Sequence, residues 1–156
     1  MPVYELNIDE FSNDDYTLIG IHTILNEYKL AYLLNQYLQV KFNRTNYDLD
    51  FVQRNNKSSF AVYEYRNMKL CQKWFLISNV YKSIRKEVSI SLFEQSDSIS
   101  HLIPEKKKVD FFLKLEGGFD YESIVKTIEK INQIPQIITS YQIEVNTLKS
   151  KDFLIF

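Results

Sequence analysis

Val109-Asp110-Phe111-Phe112-Leu113-Lys114-Leu115-Glu116-Gly117-Gly118-Phe119-Asp120 is the most legible stretch of this chain. Val109, Phe111, Leu113 and Leu115 alternate with Asp110, Phe112 and Lys114, the two-residue period of a strand. Gly117-Gly118 ends that strand, because glycine accepts backbone angles that other residues resist. Asp120 is a good helix cap. After it, Tyr121, Ile124, Val125, Ile128 and Ile131 repeat at the three-four spacing of one buried helix stripe. Glu122 and Lys126 stand four apart on the opposite side, a small stabiliser. Pro135 stops the helix, since the residue before a proline resists helical angles. Ile137, Thr139, Tyr141, Ile143 and Val145 then predict one face of a long strand, with Asp152–Phe156 as its terminal hairpin partner.

Working outward to the N-terminal half, Val3–Ile8 and Tyr16–His22 read as strands, with a polar loop from Phe11 to Asp15 between them. Asn26-Glu27 opens a helix: asparagine caps, and glutamate suits the positive helix end. Leu30, Leu33, Leu34, Tyr37 and Leu38 form its buried face. The middle reads as β. Asp48–Gln53 is a strand, Asn55-Asn56-Lys57-Ser58 a turn, and Ser59–Arg66 a strand with rings on both faces. Asn67-Met68-Lys69 connects it to Leu70–Ser78, and Val88, Ile90 and Leu92 point one way from a further strand. Strands and helices in this order predict a single α+β domain over residues 1–156. Its sheet is mixed and mostly antiparallel, with two main helices on one face, in a ferredoxin-like or ACT-like order.

Composition agrees with a packed domain. The chain has 156 residues, 45% of them hydrophobic, with 11 Phe and 11 Tyr. Large rings bury much area per residue. Three glycines and three prolines leave most turns to Asn, Asp, Ser and Lys. A formal net charge of −1 draws the whole molecule neither to nucleic acid nor to an anionic membrane. One cysteine, Cys71, excludes an intrachain disulfide framework and a cysteine-based zinc site. No basic-then-apolar leader and no run of eighteen apolar residues is present, so a soluble protein of the reducing cytoplasm is expected.

Ile103-Pro104-Glu105-Lys106-Lys107-Lys108-Val109-Asp110-Phe111 resembles the signature of the IPExxxVDY family of small bacterial proteins. Phenylalanine stands where that signature usually ends in tyrosine. The family is uncharacterised, so the resemblance implies kin but no activity or cofactor. From the residues themselves, Pro104 fixes its own backbone and pushes Ile103 toward an extended form. Glu105 and Asp110 are candidate binding groups. The simpler expectation is that Val109 and Phe111 are core and that Asp110 bonds a neighbouring backbone group or an arginine.

The other candidates are weighed in the same way. His22 sits where a strand gives way to a helix, a place where ligands bind in α/β sheets. A structural histidine bonded to backbone is the simpler expectation there. His101 lies in a serine-rich stretch and reads as solvated, and Cys71, among Leu70, Trp74 and Phe75, as a buried inert thiol. The two histidines have no metal-ligand spacing. Residues 1–28 hold six acids and no Lys or Arg, whereas Arg66 to Lys86 hold six basic residues and no acid. Lys69, Lys73, Lys82, Arg85 and Lys86 interleave there with Tyr65, Trp74, Phe75 and Tyr81. Exposed rings beside cations can hold single-stranded nucleic acid. Core rings with solvated lysines are the simpler account.

No catalytic constellation, metal site or cofactor motif is legible. A non-enzymatic interaction module, binding a protein partner or itself, is therefore expected first. RNA or single-stranded DNA binding through residues 65–86 comes second. A small-ligand sensor with a pocket at a strand–helix junction near His22 comes third. An enzyme pairing His22 with Asp14 or Asp15 comes last.

Overall fold

The computed structural model describes residues 16–53, 56–84 and 97–156. The strands expected at Val3–Ile8 and around Val88, Ile90 and Leu92 lie outside these residues, as do Asp14, Asp15, Arg85 and Lys86. The chain runs β1 (Tyr16–Thr23), α1 (Glu27–Leu38), β2 (Asn43–Arg44), β3 (Leu49–Gln53), β4 (Asn56–Phe60), β5 (Val62–Asn67) and β6 (Gln72–Ser78). It continues through β7 (Val80–Ile84), β8 (Asp97–His101), β9 (Phe111–Glu116), α2 (Tyr121–Asn132) and β10 (Ile137–Ile143). Short 3-10 turns cover Pro104–Lys106, Val145–Thr147 and Lys151–Leu154.

Six strands form one sheet in the order β10-β1-β9-β6-β5-β2, and β3-β4 and β7-β8 are separate hairpins. All pairs among the described residues are antiparallel. β9-α2-β10 is a split β-α-β unit with β1 lying between its two strands, the expected α+β, ferredoxin-like strand order with added pieces.

Strict alternation makes the three central strands core on both faces. Ile19, Ile21, Trp74, Leu76, Phe111, Leu113 and Leu115 turn toward the helices. Leu18, Phe75, Ile77 and Phe112 turn the other way. Both helices lie on the first face, where Leu30, Ala31 and Leu34 of α1 and Ile131 of α2 complete the core. Each caps as expected: Asn26 accepts from the Lys29 N–H and Asp120 from the Ser123 N–H. Tyr121, however, is 76% exposed, and Thr127 takes a buried place beside Ile124 and Ile131.

Among the described residues, the second face has no helix. The C-terminal residues 145–156, which we call the strap, cover part of it through Leu148 and Leu154. The strand expected at Asp152–Phe156 is instead a 3-10 turn, closed by Phe153 N–H to Ser150 O and Ile155 N–H to Asp152 O. Lys114, only 2% exposed, pins it. Its Nζ donates to Leu154 O at 2.6 Å and pairs with Glu116 at 2.8 Å. The ammonium also lies 4.8, 5.5 and 4.6 Å from the ring centres of Tyr16, Phe75 and Phe156. Rings attract a cation through their negative faces, which offsets part of its desolvation.

Three further expectations change. Ser59–Arg66 is two strands broken at Ala61, so β4 serves a hairpin while β5 joins the main sheet. Asn56, Lys57 and Ser58 belong to β4, not to a turn. In β10, His22 pairs with Thr139 and Thr23 with Ile137, leaving Ile138 as an extra residue. That bulge reverses the parity of the strand. Ile137 therefore faces the helices and Ile143 the strap, with Val145 beyond the strand in a 3-10 turn.

The outer edge of β10 is partly closed. The Ser140 N–H donates to Asn132 Oδ1 at 2.8 Å, and Asn132 Nδ2 donates to Ser140 O at 3.4 Å. At the far end of β9, a Cβ on Gly117, whose φ is 92°, would strike the carbonyl oxygen of Cys71, so glycine is required where those two turns meet.

Candidate functional site

The signature loop is assembled around a residue that sequence reasoning missed. Asn79, fully buried between β6 and β7, donates through Nδ2 to Val109 O at 2.7 Å and Lys106 O at 2.9 Å. Its Oδ1 accepts from the Ile103 N–H at 2.8 Å. Its own N–H donates to Asp110 O, and its carbonyl accepts from the Leu102 N–H. A lone asparagine between two strands gives no sequence cue; only the fold brings the loop to it.

Each signature residue has a structural occupation. Ile103, Val109 and Phe111 are core, although Val109 lies on the strap face and Phe111 on the helix face. Pro104 starts the 3-10 turn, and Ile103 is extended before it, as expected. Asp110 Oδ2 accepts from the Thr23 N–H at 2.9 Å, the backbone bond expected of it. Glu105 accepts from the Ser150 N–H at 2.7 Å and from Ser150 Oγ at 3.0 Å, tying the loop to the strap. Partial burial alone would raise the Glu105 pKa, but these bonds outweigh it and hold the carboxyl below its usual range.

His22 is half-buried and turned to β10, where Nε2 lies 2.9 Å from Tyr141 Oη. Its ring partner is thus a phenol, not the backbone. His101 is not in a solvated loop: it pairs with Val80 in β8, and burial followed by the nearby Lys107 lowers its pKa. Cys71 is exposed, not buried, in a left-handed turn with φ of 52°.

Two of the four rings of the basic region, Trp74 and Phe75, are withdrawn into the core, while Tyr65 and Tyr81 are half-buried. Trp74 is 8% exposed and packs edge-on against Phe119 at 5.1 Å and Phe42 at 6.5 Å. Phe75 is buried on the opposite face. Lys69, Lys73 and Lys82 are exposed, but Lys69 and Lys82 lie beyond opposite ends of β6. Base stacking needs an accessible ring face, and Trp74 has none to give. Arg66 is engaged by Glu64.

An unpredicted surface lies on α1. Tyr28 and Tyr32 are 59% and 60% exposed on its outer side, one turn apart, and Ile24 just ahead of the cap is 85% exposed. Tyr32 Oη accepts from Gln36 Nε2 at 2.8 Å. The four-residue spacing of Ile24, Tyr28 and Tyr32 is visible in the sequence, but the buried stripe of the same helix masks it. Beside this ridge, the end of β1 and the start of α1 border a cleft of about 780 Å³. Ile24, Glu27, Arg44, Asp48, Lys82 and Asp110 line it. Arg44 and Asp48 are ion-paired, and Asp48 also accepts from Ser59 Oγ. Glu27 and Lys82 make no ion pair among the described residues. The cleft sits at a strand–helix junction, but His22 does not line it.

Among the described residues, no three His, Cys, Asp or Glu side chains are grouped to hold a metal. No helix among them is long and apolar enough to cross a membrane. No family model, curated protein or solved structure matches the chain.

Proposed function

We propose that this chain is a non-enzymatic protein-interaction module that docks a protein partner on the Ile24-Tyr28-Tyr32 ridge of α1. The carrying observation is that α1 is apolar on two sides. One side already fills the core, and the other keeps Tyr28 and Tyr32, with Ile24 ahead of the cap, exposed and outside the packing among the described residues. Tyrosine suits such a surface, because it brings a large rigid ring and a polar tip at low entropic cost. Glu27 and Lys82 in the adjoining cleft supply charges of both signs at the rim, which favours a chosen partner over others. The nine residues that resemble the IPExxxVDY signature are then architectural, and kinship with that family is one of scaffold. Work in the cytoplasm fits a lone exposed thiol.

The test is co-purification of the wild type and a Tyr28→Glu/Tyr32→Glu variant, each with and without ribonuclease, alongside sedimentation velocity. The reading expects a protein partner, or a second copy, that resists ribonuclease and is lost from the variant at unchanged melting temperature. A partner held equally by both chains would sink it. Ribonuclease-sensitive RNA would return attention to Lys69, Lys73 and Lys82.

A further inference from the structure

Under the strap, the β3–β4 hairpin and β8 border a pocket of about 470 Å³, separate from the α1 ridge and its cleft. Small-molecule sites run from roughly 300 to 1,000 Å³. Phe51, Phe60 and Phe153 form its aromatic wall, with Ile99 and Leu102 beside them. Phe51 meets Phe60 at 6.1 Å and 60°, and Phe153 at 4.8 Å and 59°. Rings set at such angles present both edges and faces, which is how aromatic groups prefer to receive another ring.

Four polar residues, Asn56, Ser58, Ser100 and His101, share the lining. Among the described residues, no Asp, Glu, Lys or Arg lines the pocket. Neither the His101 ring nor the Ser100 hydroxyl has a hydrogen-bond partner among the described residues. Burial and Lys107 keep the imidazole neutral at neutral pH, so it carries one donor and one acceptor nitrogen. An ionic ligand would leave water without a counter-charge from the described lining, at high cost.

We propose that this pocket binds a small uncharged aromatic molecule bearing one hydroxyl or carbonyl group, with the rings of Phe51, Phe60 and Phe153 around its body and His101 on its polar atom. The strap supplies Phe153, and the Glu105–Ser150 bonds anchor the strap, so the signature loop helps to build the site.

The probe is 2-naphthol, with naphthalene as the control that lacks the hydroxyl, titrated into the full chain and followed by amide and imidazole nitrogen NMR. Saturable shifts are expected at Phe51, Ser100, His101 and Phe153. One hydrogen bond should make 2-naphthol bind about fivefold tighter than naphthalene. His101→Phe should erase that preference and leave naphthalene binding intact. Should that variant not fold, a shift of the wild-type His101 ring nitrogens on adding 2-naphthol, absent with naphthalene, makes the same distinction. Absence of saturable binding, shifts confined to the α1 ridge or its cleft, or a preference that survives His101→Phe would each overturn the proposal.

Discussion

On one side of the six-stranded sheet, two capped helices lay Leu30, Leu34, Ile124 and Ile131 toward the core. On the other, two hairpins together with an irregular loop and the strap cover Leu18, Phe75 and Phe112. A helix satisfies its own backbone, so it needs only apolar contact to sit on a sheet. Irregular cover carries peptide groups that no ladder satisfies, and each buried one needs a specific partner. That is why Asn79, Glu105 and Lys114 work on the loop-and-strap side. One side should be sensitive to side-chain volume, the other to hydrogen-bond geometry.

The largest effect should come from volume on the helix side. Leu34→Ala should cost about 2–5 kcal/mol in denaturant unfolding, the range for a buried leucine that leaves a cavity. Asn79→Ala should follow at about 2–4 kcal/mol, because three side-chain bonds go and their backbone partners stay in a dry interior. A cost near zero for Asn79→Ala would break the contrast between the two sides. Asp110→Ala should cost about 1–2 kcal/mol by freeing the Thr23 N–H, whereas Asp110→Asn, which keeps an acceptor oxygen, should cost less.

The smallest effects are in pH. The lowered His101 pKa means that the unfolded chain takes up a proton near 6.5 while the folded chain resists it. Stability should therefore fall as pH drops below about 6.5, and less so in His101→Phe. The lowered Glu105 pKa acts further down: its contribution is complete above the ordinary 4.5 and is lost as pH falls through the folded value. Asp120, held low by its bonds with Ser123, shares that acidic window from the helix side. Thermal melts of Glu105→Gln against wild type from pH 7 to 3 separate the two, since only the Glu105 share disappears in that variant.

The same contrast governs what could be read from the sequence. The helix side was legible because its signals are local: Asn26 and Asp120 as caps, three-four spacing behind them, and alternation along Phe111–Leu115. The other side was not. Asn79 acts through residues more than twenty positions away. The run Phe153-Leu154-Ile155-Phe156 has strand composition, but Lys114 captures the Leu154 carbonyl and the chain turns. Ile138 inverts the parity of β10 with no compositional mark. Cys71 has apolar neighbours because a turn sits between two strands, not because it is buried. The site residues divide likewise. The backbone role of Asp110 was readable, whereas the α1 ridge shares its helix with a stronger buried pattern.

The amide of Asn132 over Ser140 has a consequence at another scale. It offers the outer peptide of β10 the same donor and acceptor that a neighbouring strand would present. A second molecule approaching that edge finds its middle occupied by a counterfeit of itself. Among the described residues that amide guards the middle of the edge against pairing with another strand, and Asn132→Val would uncover it.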